Sequence, residues 1–444
     1  MKWNFFAPTY RYAPYADIDR QKNSMPPETQ SEATAPIAVA QPDAIFITRK
    51  PIFDAEEKVT AFQLFIRPSA GLPEIEPTTT EQSARLIVDT LNTFGAHTVL
   101  GDHMGWVNLP DVALHSDLVQ LLPSANFVLE YPAAFLATPN AEARCAQLMQ
   151  QGYTLAIACN DGDFDLSRIA KVANHAVYDL AQMSLQSITR LDRAIKPQGL
   201  KRMVRNVVAR ADFDACKPFA FDSYQGDFFA TAQTLASNRL DPTRARIVEI
   251  FNLVMNKADI GAIEDAFKHD VALCYSLLCY INSVGIGMSY KVASIRNAIM
   301  LMGYDFLWRW LSLLVYAGID LSAAQRVILN TAIIRGRLTE LLGQINLPTK
   351  EANALFVVGN FSLLDALLGI PMEQALKRIH LPEDVARALL FREGKYAPYL
   401  ALALSFESEQ SEQAERLCAQ LQIDPGAASQ AHLSAIEWAR MLAK

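Results

Sequence analysis

The sequence contains none of the usual signatures of a disulfide framework, a zinc site or a nucleotide cofactor. Its six cysteines show no C-x-x-C spacing, and two of them, Cys274 and Cys279, fall in a strongly apolar segment. They are therefore predicted to be reduced, buried thiols. The sequence also contains no P-loop and no G-x-G-x-x-G turn, so we predict no cofactor.

A secretion signal and a membrane span are also missing from the pattern. The first 21 residues have no continuous apolar stretch followed by small residues. The segment 271–290 carries no charge, but Asn282-Ser283 and two glycines interrupt it well before the ~20 apolar residues that a span requires. We therefore expect a cytoplasmic protein without a membrane span, in which the segment 271–318 forms buried helices.

Basic residues do not outnumber acidic ones in this chain, which has 40 Lys and Arg against 47 Asp and Glu. Its net charge is −7 and its pI is about 5.6, which argues against a nucleic-acid partner. Apolar residues make up 51% of the 444 residues, enough to form real cores. A chain of this length predicts two folded units with connecting segments.

Residues 1–42 are rich in proline, lack glycine and show little helical periodicity, so this tail is predicted to be disordered. Aromatic residues crowd its first part, namely Trp3, Phe5, Phe6, Tyr10 and Tyr12. Aromatic anchors on a flexible tether are typical of segments that dock into a partner. The alternative, given equal weight, is that these side chains fold back onto their own domain.

Residues 43–238 alternate between short strands and helices, which predicts an α/β domain with a mostly parallel sheet, either open or closed into a barrel. With fewer than 200 residues, a closed barrel would be compact or incomplete. The predicted strands are 44–49, 60–67, 105–109, 126–129, 154–158, 177–180 and 204–209. From residue 239 to 444 strand signals vanish, so an all-helical domain follows, with Pro242 suited to a helix start.

Ordered motifs support a family resemblance. ITRKPIFDAEEKVTAFQLFIR (47–67), WVNLP (106–110), FVLEYP (127–132), GYTLAIA (152–158) and YQGDFFA (224–230) resemble the EAL domain. The segment 271–318, an apolar helix, NSxxxG, then S-I-x-x-A-I and an aromatic-rich helix, resembles the HDOD domain. The chain thus resembles two-domain EAL-HDOD bacterial signalling proteins. The resemblance implies a barrel whose active members hydrolyse cyclic di-GMP with carboxylate-bound metals, followed by a helical relative of HD phosphohydrolases.

The metal ligands that the EAL resemblance implies are mostly replaced. Gln63 stands where the family has its namesake glutamate, and Ala158 and Cys159 stand where it has paired aspartates. The later Lys and E-x-V-E positions have no convincing equivalent in 207–214. Because two-metal hydrolysis needs several converging carboxylates, we predict no catalytic residue, no metal and no phosphodiesterase activity.

A residual ligand site remains in this pattern. It consists of Asn108, Glu130, Asp179 and, as a possible phosphate partner, Arg67. The acidic cluster Asp161, Asp163 and Asp165 lacks the glycine and glutamate of a calcium loop, so we interpret it as solvated loop acids.

The helical half has also lost its implied metal pair. Ser362 and Leu363 occupy the positions that resemble the HD pair, whereas His269-Asp270 is interpreted as a helix start in which Asp270 is the N-cap.

These patterns lead to three functional hypotheses for the whole chain. The first is a non-catalytic adaptor that contacts other signalling proteins in cyclic di-GMP controlled motility or biofilm formation. The alternative is a cyclic di-GMP receptor without hydrolysis, and an active phosphodiesterase ranks last. The partner and the oligomeric state stay open.

Overall fold

The computed structural model describes residues 45–68, 88, 91, 95–109, 114–159, 169–228, 242–283, 292, 294–316, 323–377, 379–408 and 411–442. The aromatic residues of the tail, Trp3, Phe5, Phe6, Tyr10 and Tyr12, lie outside these ranges. The same holds for the acidic cluster at 161–165 and for the side chain of Arg67. The roles proposed for them stay predictions.

Eight strands form a closed barrel in chain order. They are β1 Ile45–Phe53, β2 Val59–Pro68, β3 Met104–Asn108, β4 Phe127–Pro132, β5 Thr154–Ala158, β6 His175–Asp179, β7 Lys201–Arg205 and β8 Ser223–Gln225. The first strand is antiparallel to both of its neighbours, and the other pairs are parallel. The prediction of a mostly parallel α/β barrel is confirmed. The barrel closes within this length because strands β3–β8 have only three to six residues.

One strand in the prediction had the wrong boundaries, and one strand was not predicted. The strand predicted at 204–209 is β7, which begins at Lys201 and ends at Arg205. It ends there because Asn206 adopts a left-handed conformation with φ 58°, which turns the chain out of the strand. The last strand, β8, was missed because three residues are too few to show a two-residue period.

Helices connect the strands and cover the outside of the barrel. Those described are α1 Ala96–Leu100, α2 Ala141–Gln150, α3 Ile169–Val172, α4 Leu185–Ile195 and α5 Arg210–Cys216. A buried apolar shell fills the space between strands and helices and includes Phe127, Leu129 and Ile157. Residues of opposite parity face into the barrel, where Ile52, Trp106, Val128 and others form a separate cluster.

The second half of the chain is helical, as predicted. Its helices are α6 Pro242–Met255, α7 Ile260–Lys268, α8 Val271–Ser283, α9 Ile295–Leu314, α10 Ala323–Asn346, α11 Thr349–Phe361, α12 Leu364–Leu368, α13 Met372–Leu376, α14 Glu383–Phe391, α15 Ala397–Ser405, α16 Ser411–Leu421 and α17 Pro425–Leu442. Among the described residues, none of the helices combines the length and apolar character needed to cross a membrane.

Local signals in this half are confirmed. Ser294 caps α9 by accepting a hydrogen bond from the Asn297 N–H at 3.2 Å. Asp270 caps α8 by accepting one from the Leu273 N–H at 3.0 Å. Gly303 breaks α9 with φ 69° and ψ 168°, a conformation that glycine adopts without steric cost.

The two halves contact each other through β1 and the last helices. The Thr48 hydroxyl donates to the Phe406 carbonyl at 2.9 Å, and the Phe46 and Phe406 rings lie 5.3 Å apart. His432 of α17 packs on the same Phe406 ring at 4.8 Å. Arg440 of α17 donates to the His97 carbonyl at 2.7 Å. The barrel is therefore joined to the helical half on the side that carries β1 and α1.

Candidate functional site

The candidate site lies where strands β2–β7 end. Successive side chains of a strand point to opposite faces, so one residue near each strand end faces the barrel axis. These inward positions are Gln63, Asn108, Glu130, Ala158, Asp179 and Arg205. Barrel enzymes place their chemistry at this carboxyl-terminal end of the strands.

Arg205 connects the two buried carboxylates of this layer. Its Nη1 donates to Glu130 Oε1 at 2.6 Å, and its Nε donates to Asp179 Oδ2 at 2.9 Å. The Glu130 and Asp179 side chains are only 3% and 4% exposed. The guanidinium therefore occupies the position between the two carboxylates that a shared cation would need.

The remaining carboxylate oxygens also have donors. Glu130 Oε2 accepts from the indole N–H of Trp106 at 2.7 Å. Asp179 Oδ1 accepts from the Asn206 amide at 2.7 Å and from the Ala181 backbone N–H at 2.9 Å. The left-handed turn at Asn206 directs its side chain to this oxygen. All four oxygens are thus satisfied by the protein itself.

The electrostatics of this cluster follow from burial and from the ion pairs. Burial raises the pKa of the Glu130 carboxyl, and the charge of Arg205 and the Trp106 N–H act against that increase. Burial alone would lower the pKa of the Arg205 guanidinium, but Glu130 and Asp179 reverse this and raise it. Arg205 therefore stays charged and supplies the counter-charge of the site.

Neutral amides occupy the β2 and β3 positions. The Gln63 amide donates to Asn108 Oδ1 at 3.0 Å, while Gln63 Oε1 is buried without a hydrogen-bond partner among the described residues. Gln63 is buried and Asn108 is exposed. The exposed Asn108 amide is consequently the part of this pair that solvent or a ligand can reach.

The β5 position supplies no metal ligand. Ala158 ends the strand, and Cys159 is fully buried. Burial raises the pKa of the Cys159 thiol to about 12, so it stays protonated. Within the described part of the chain, no cluster of three or more His, Cys, Asp or Glu side chains is arranged to hold a metal ion.

Sequence reasoning missed three residues of this cluster. Arg205, Asn206 and Trp106 complete the hydrogen bonds of Glu130 and Asp179, yet the predicted strand at 204–209 drew attention to 207–214 instead. The acids there have other contacts: Asp212 accepts from the Ala209 N–H at 3.0 Å, and Asp214 lies 3.4 Å from Arg210. The alternation of KRMVR, with inward residues at both ends, was the signal for Arg205.

In the helical half, Ser362 is part of a structural hydrogen-bond network. Its hydroxyl donates to the Gly359 carbonyl at 2.6 Å and accepts from Arg335 Nη1 at 2.5 Å. Arg335 also forms a bidentate pair with Glu407 at 2.8 and 2.6 Å. His432, 5% exposed, lies at the contact between the halves. His380 Nδ1 lies 3.0 Å from the Asn256 side-chain amide nitrogen. Neither histidine belongs to the barrel site.

Similarity to known proteins extends over most of the chain, although no protein-family model matches it. The protein YuxH of Bacillus subtilis (strain 168) is 27% identical over 414 residues, covering 90% of this chain and 98% of YuxH. The cyclic di-GMP phosphodiesterase CdgJ of Vibrio cholerae is 26% identical over 404 residues, covering 89% of this chain and 92% of CdgJ. The solved complex of the PaMucR phosphodiesterase with c-di-GMP covers 41% of this chain and 94% of its own, with 17% identity and a TM-score of 0.36. The chain is therefore similar, through both of its halves, to two bacterial proteins of known sequence.

Proposed function

We propose that this chain is a non-catalytic signalling protein of the EAL-HDOD type, which acts through protein contacts in a pathway controlled by cyclic di-GMP. CdgJ, which is similar to this chain over nine-tenths of its length, is by name a cyclic di-GMP phosphodiesterase. That similarity supports a role related to cyclic di-GMP. Whether the output is motility or biofilm formation is part of the proposal.

The ion pairs of Arg205 are the observation that carries the non-catalytic proposal. Two-metal hydrolysis needs carboxylates that are free to bind cations and to lower the pKa of the attacking water. Here Glu130 and Asp179 share one guanidinium, at 2.6 and 2.9 Å, and Gln63 and Ala158 add no charge. A metal ion would have to displace Arg205 and leave that half-buried cation without a partner.

A turnover assay tests this proposal directly. The purified full chain is incubated with cyclic di-GMP and Mg²⁺ or Mn²⁺, and the linear product is measured by chromatography with CdgJ as the positive control. We expect no product above the buffer background. Turnover that disappears in the Glu130→Gln variant would overturn the proposal, because that residue would then serve catalysis.

A receptor without hydrolysis is the second candidate. The Nη2 nitrogen of Arg205 makes no hydrogen bond with another described residue, and a guanidinium is a good phosphate ligand. Asn108 adds an exposed amide at the same carboxyl-terminal end of the barrel strands. Both groups could contact a nucleotide without a metal.

Calorimetry separates the receptor from the adaptor. Cyclic di-GMP is titrated into the full chain and into the Asn108→Ala variant, each with and without Mg²⁺. Saturable binding that does not depend on Mg²⁺ and is weakened in the variant would establish the receptor. Absence of binding would favour the adaptor.

Exposed apolar side chains of the helical half support the adaptor. Val271 and Tyr275 on α8 are 82% and 70% exposed, and Met300 on α9 is 54% exposed. Where exposed apolar side chains form a contiguous patch, that patch is typical of surfaces that bind other proteins. We expect affinity capture from a bacterial lysate to lose partners when Val271 and Met300 are replaced by Ser.

A separate capture experiment tests the tail, with residues 1–40 deleted or with Trp3 and Phe6 replaced by Ala.

A further inference from the structure

A cavity lies at the opposite end of the barrel from the candidate site. It has a volume of about 900 Å³ and opens between the amino-terminal ends of the strands. Strand residues Met104, Thr154, His175, Lys201 and Ser223 line it. Binding pockets for small ligands commonly have volumes of roughly 300–1,000 Å³, so this cavity is large enough for a small molecule.

The inner wall of the cavity is apolar and aromatic. Trp106, Val128 and Ile52 form this wall, and each is at most 4% exposed. The His175 ring packs edge-to-face on the Trp106 indole, with centroids 5.2 Å apart. A flat ring of a ligand would therefore meet a preformed aromatic surface.

The rim of the cavity is polar, and most of its charged or amide groups already have partners. Asp222 accepts from the Arg202 backbone N–H at 2.8 Å and lies 3.5 Å from Arg202 Nε. The Asn174 amide oxygen accepts from the Leu155 N–H at 2.9 Å. Lys201, by contrast, has no ion pair within the described part of the chain. Its ammonium is the free charge at the rim.

We propose that this cavity binds a small aromatic molecule that carries an anionic group, with the ring against Trp106 and His175 and the anion at Lys201. A carboxylate, a sulfonate or a phosphate satisfies the same contact. The hydroxyls of Thr154 and Ser223 at the rim provide hydrogen bonds to that anion.

The charge of the cavity at neutral pH agrees with this ligand class. Burial lowers the pKa of His175 to about 4, and the charge of Lys201 contributes further to that decrease. The imidazole is therefore neutral at pH 7 and packs as an aromatic ring. Lys201 is then the cation that lines the cavity, and the carboxylate that lines it, Asp222, is paired with Arg202.

Trp106 connects the cavity to the candidate site. One part of its indole lines the cavity, and its N–H donates to Glu130 Oε2 at 2.7 Å. A ligand that moves the indole would change the hydrogen bonds of Glu130. The Trp106 N–H resonance is accordingly a local reporter of occupancy.

The proposal is tested with 1-anilinonaphthalene-8-sulfonate, an aromatic sulfonate, titrated into the full-length protein by calorimetry and fluorescence. We expect the Lys201→Met variant to weaken binding about fivefold or more, since one ion pair to the ligand is lost. The matched control is Lys196→Met, which removes an exposed cation of the α4–β7 connection, just before β7, that does not line the cavity. The neutral analogue N-phenyl-1-naphthylamine should bind the wild type and Lys201→Met equally.

Two further measurements locate the bound probe. The Ala170→Phe variant places a ring at an exposed position of the cavity mouth and should reduce binding, whereas Ala211→Phe on the exposed face of α5 should not. In ¹⁵N spectra the probe should shift the indole N–H resonance assigned to Trp106 through the Trp106→Phe variant. Equal affinity of the wild type, Lys201→Met and Ala170→Phe, or a Trp106 resonance that does not move at saturation, would overturn the proposal.

Discussion

At the carboxyl ends of the barrel strands, Glu130, Asp179 and Arg205 bond to one another, whereas at the amino ends Lys201 borders a cavity of about 900 Å³ without an ion pair among the described residues. Both groups of residues face the barrel axis through the same strand alternation. The difference is the placement of the counter-charge. Removing one partner of the charge cluster inside the barrel would leave a buried charge uncompensated, while a charge without an internal partner can bind an ion from outside.

Replacing Arg205, the cation between the two buried carboxylates, should have the largest effect on stability. We expect Arg205→Met to lower the free energy of unfolding by about 3 to 5 kcal/mol, because Glu130 and Asp179 would remain buried without a counter-charge. Chemical denaturation measures this change. The control is Arg210→Met, whose pair with Glu57 is more exposed and should contribute about 1 kcal/mol or less. Similar losses in both variants would contradict the internal role of Arg205.

Removing the Trp106 N–H, which donates a hydrogen bond inside the barrel, should have the second-largest effect on stability. Trp106→Phe keeps an aromatic ring in place but removes the N–H that donates to Glu130. We expect a loss of about 1.5 to 3 kcal/mol in chemical denaturation, the usual range for a hydrogen bond to a charged group. Trp308→Phe is the matched control, because the buried Trp308 N–H has no partner among the described residues. If both substitutions have equal cost, the bond to Glu130 contributes nothing measurable.

Lowering the pH should reduce the free energy of unfolding through His175, at the amino end of the barrel strands. The pKa of His175 is about 4 in the folded protein and about 6.5 when the chain is unfolded, so the unfolded state binds more protons between these values. Stability from this group is complete above pH 6.5 and is lost as the pH falls towards 4, by about 1 to 2 kcal/mol at pH 5. His175→Phe keeps the contact with Trp106 and should flatten the pH profile of unfolding over this range. An unchanged profile would show that His175 is not buried as described.

The smallest effect is expected at the rim of the cavity. Lys201→Met should change the free energy of unfolding by no more than about 0.5 kcal/mol, as is usual for an exposed side chain without a partner. Thermal and chemical denaturation of the variant and the wild type measure this difference. A loss of 2 kcal/mol or more would mean that Lys201 has a structural partner, and the contrast between the two barrel ends would disappear.

Local patterns predicted much of what the structure contains. The EAL resemblance singled out Glu130 and Asp179, and capping patterns placed Asp270 and Ser294 at the starts of helices. The prediction failed for β7, because its wrong boundaries directed the search for site residues to 207–214 and Arg205 was not predicted. Boundaries are harder to predict than elements because one left-handed residue, here Asn206, ends a strand whose apolar run continues.

The sequence by itself determined an α/β half followed by a helical half, together with the helix starts at Asp270 and Ser294. These features depend on interactions between residues a few positions apart, so the local pattern contains them. Only the tertiary structure decided that β1 pairs antiparallel with both neighbours and that Arg205 lies between Glu130 and Asp179. The contact between Phe46 and Phe406 and the cavity at the amino ends were decided in the same way. Barrel closure brings together residues that are tens or hundreds of positions apart, and the offset between strands sets which of them meet.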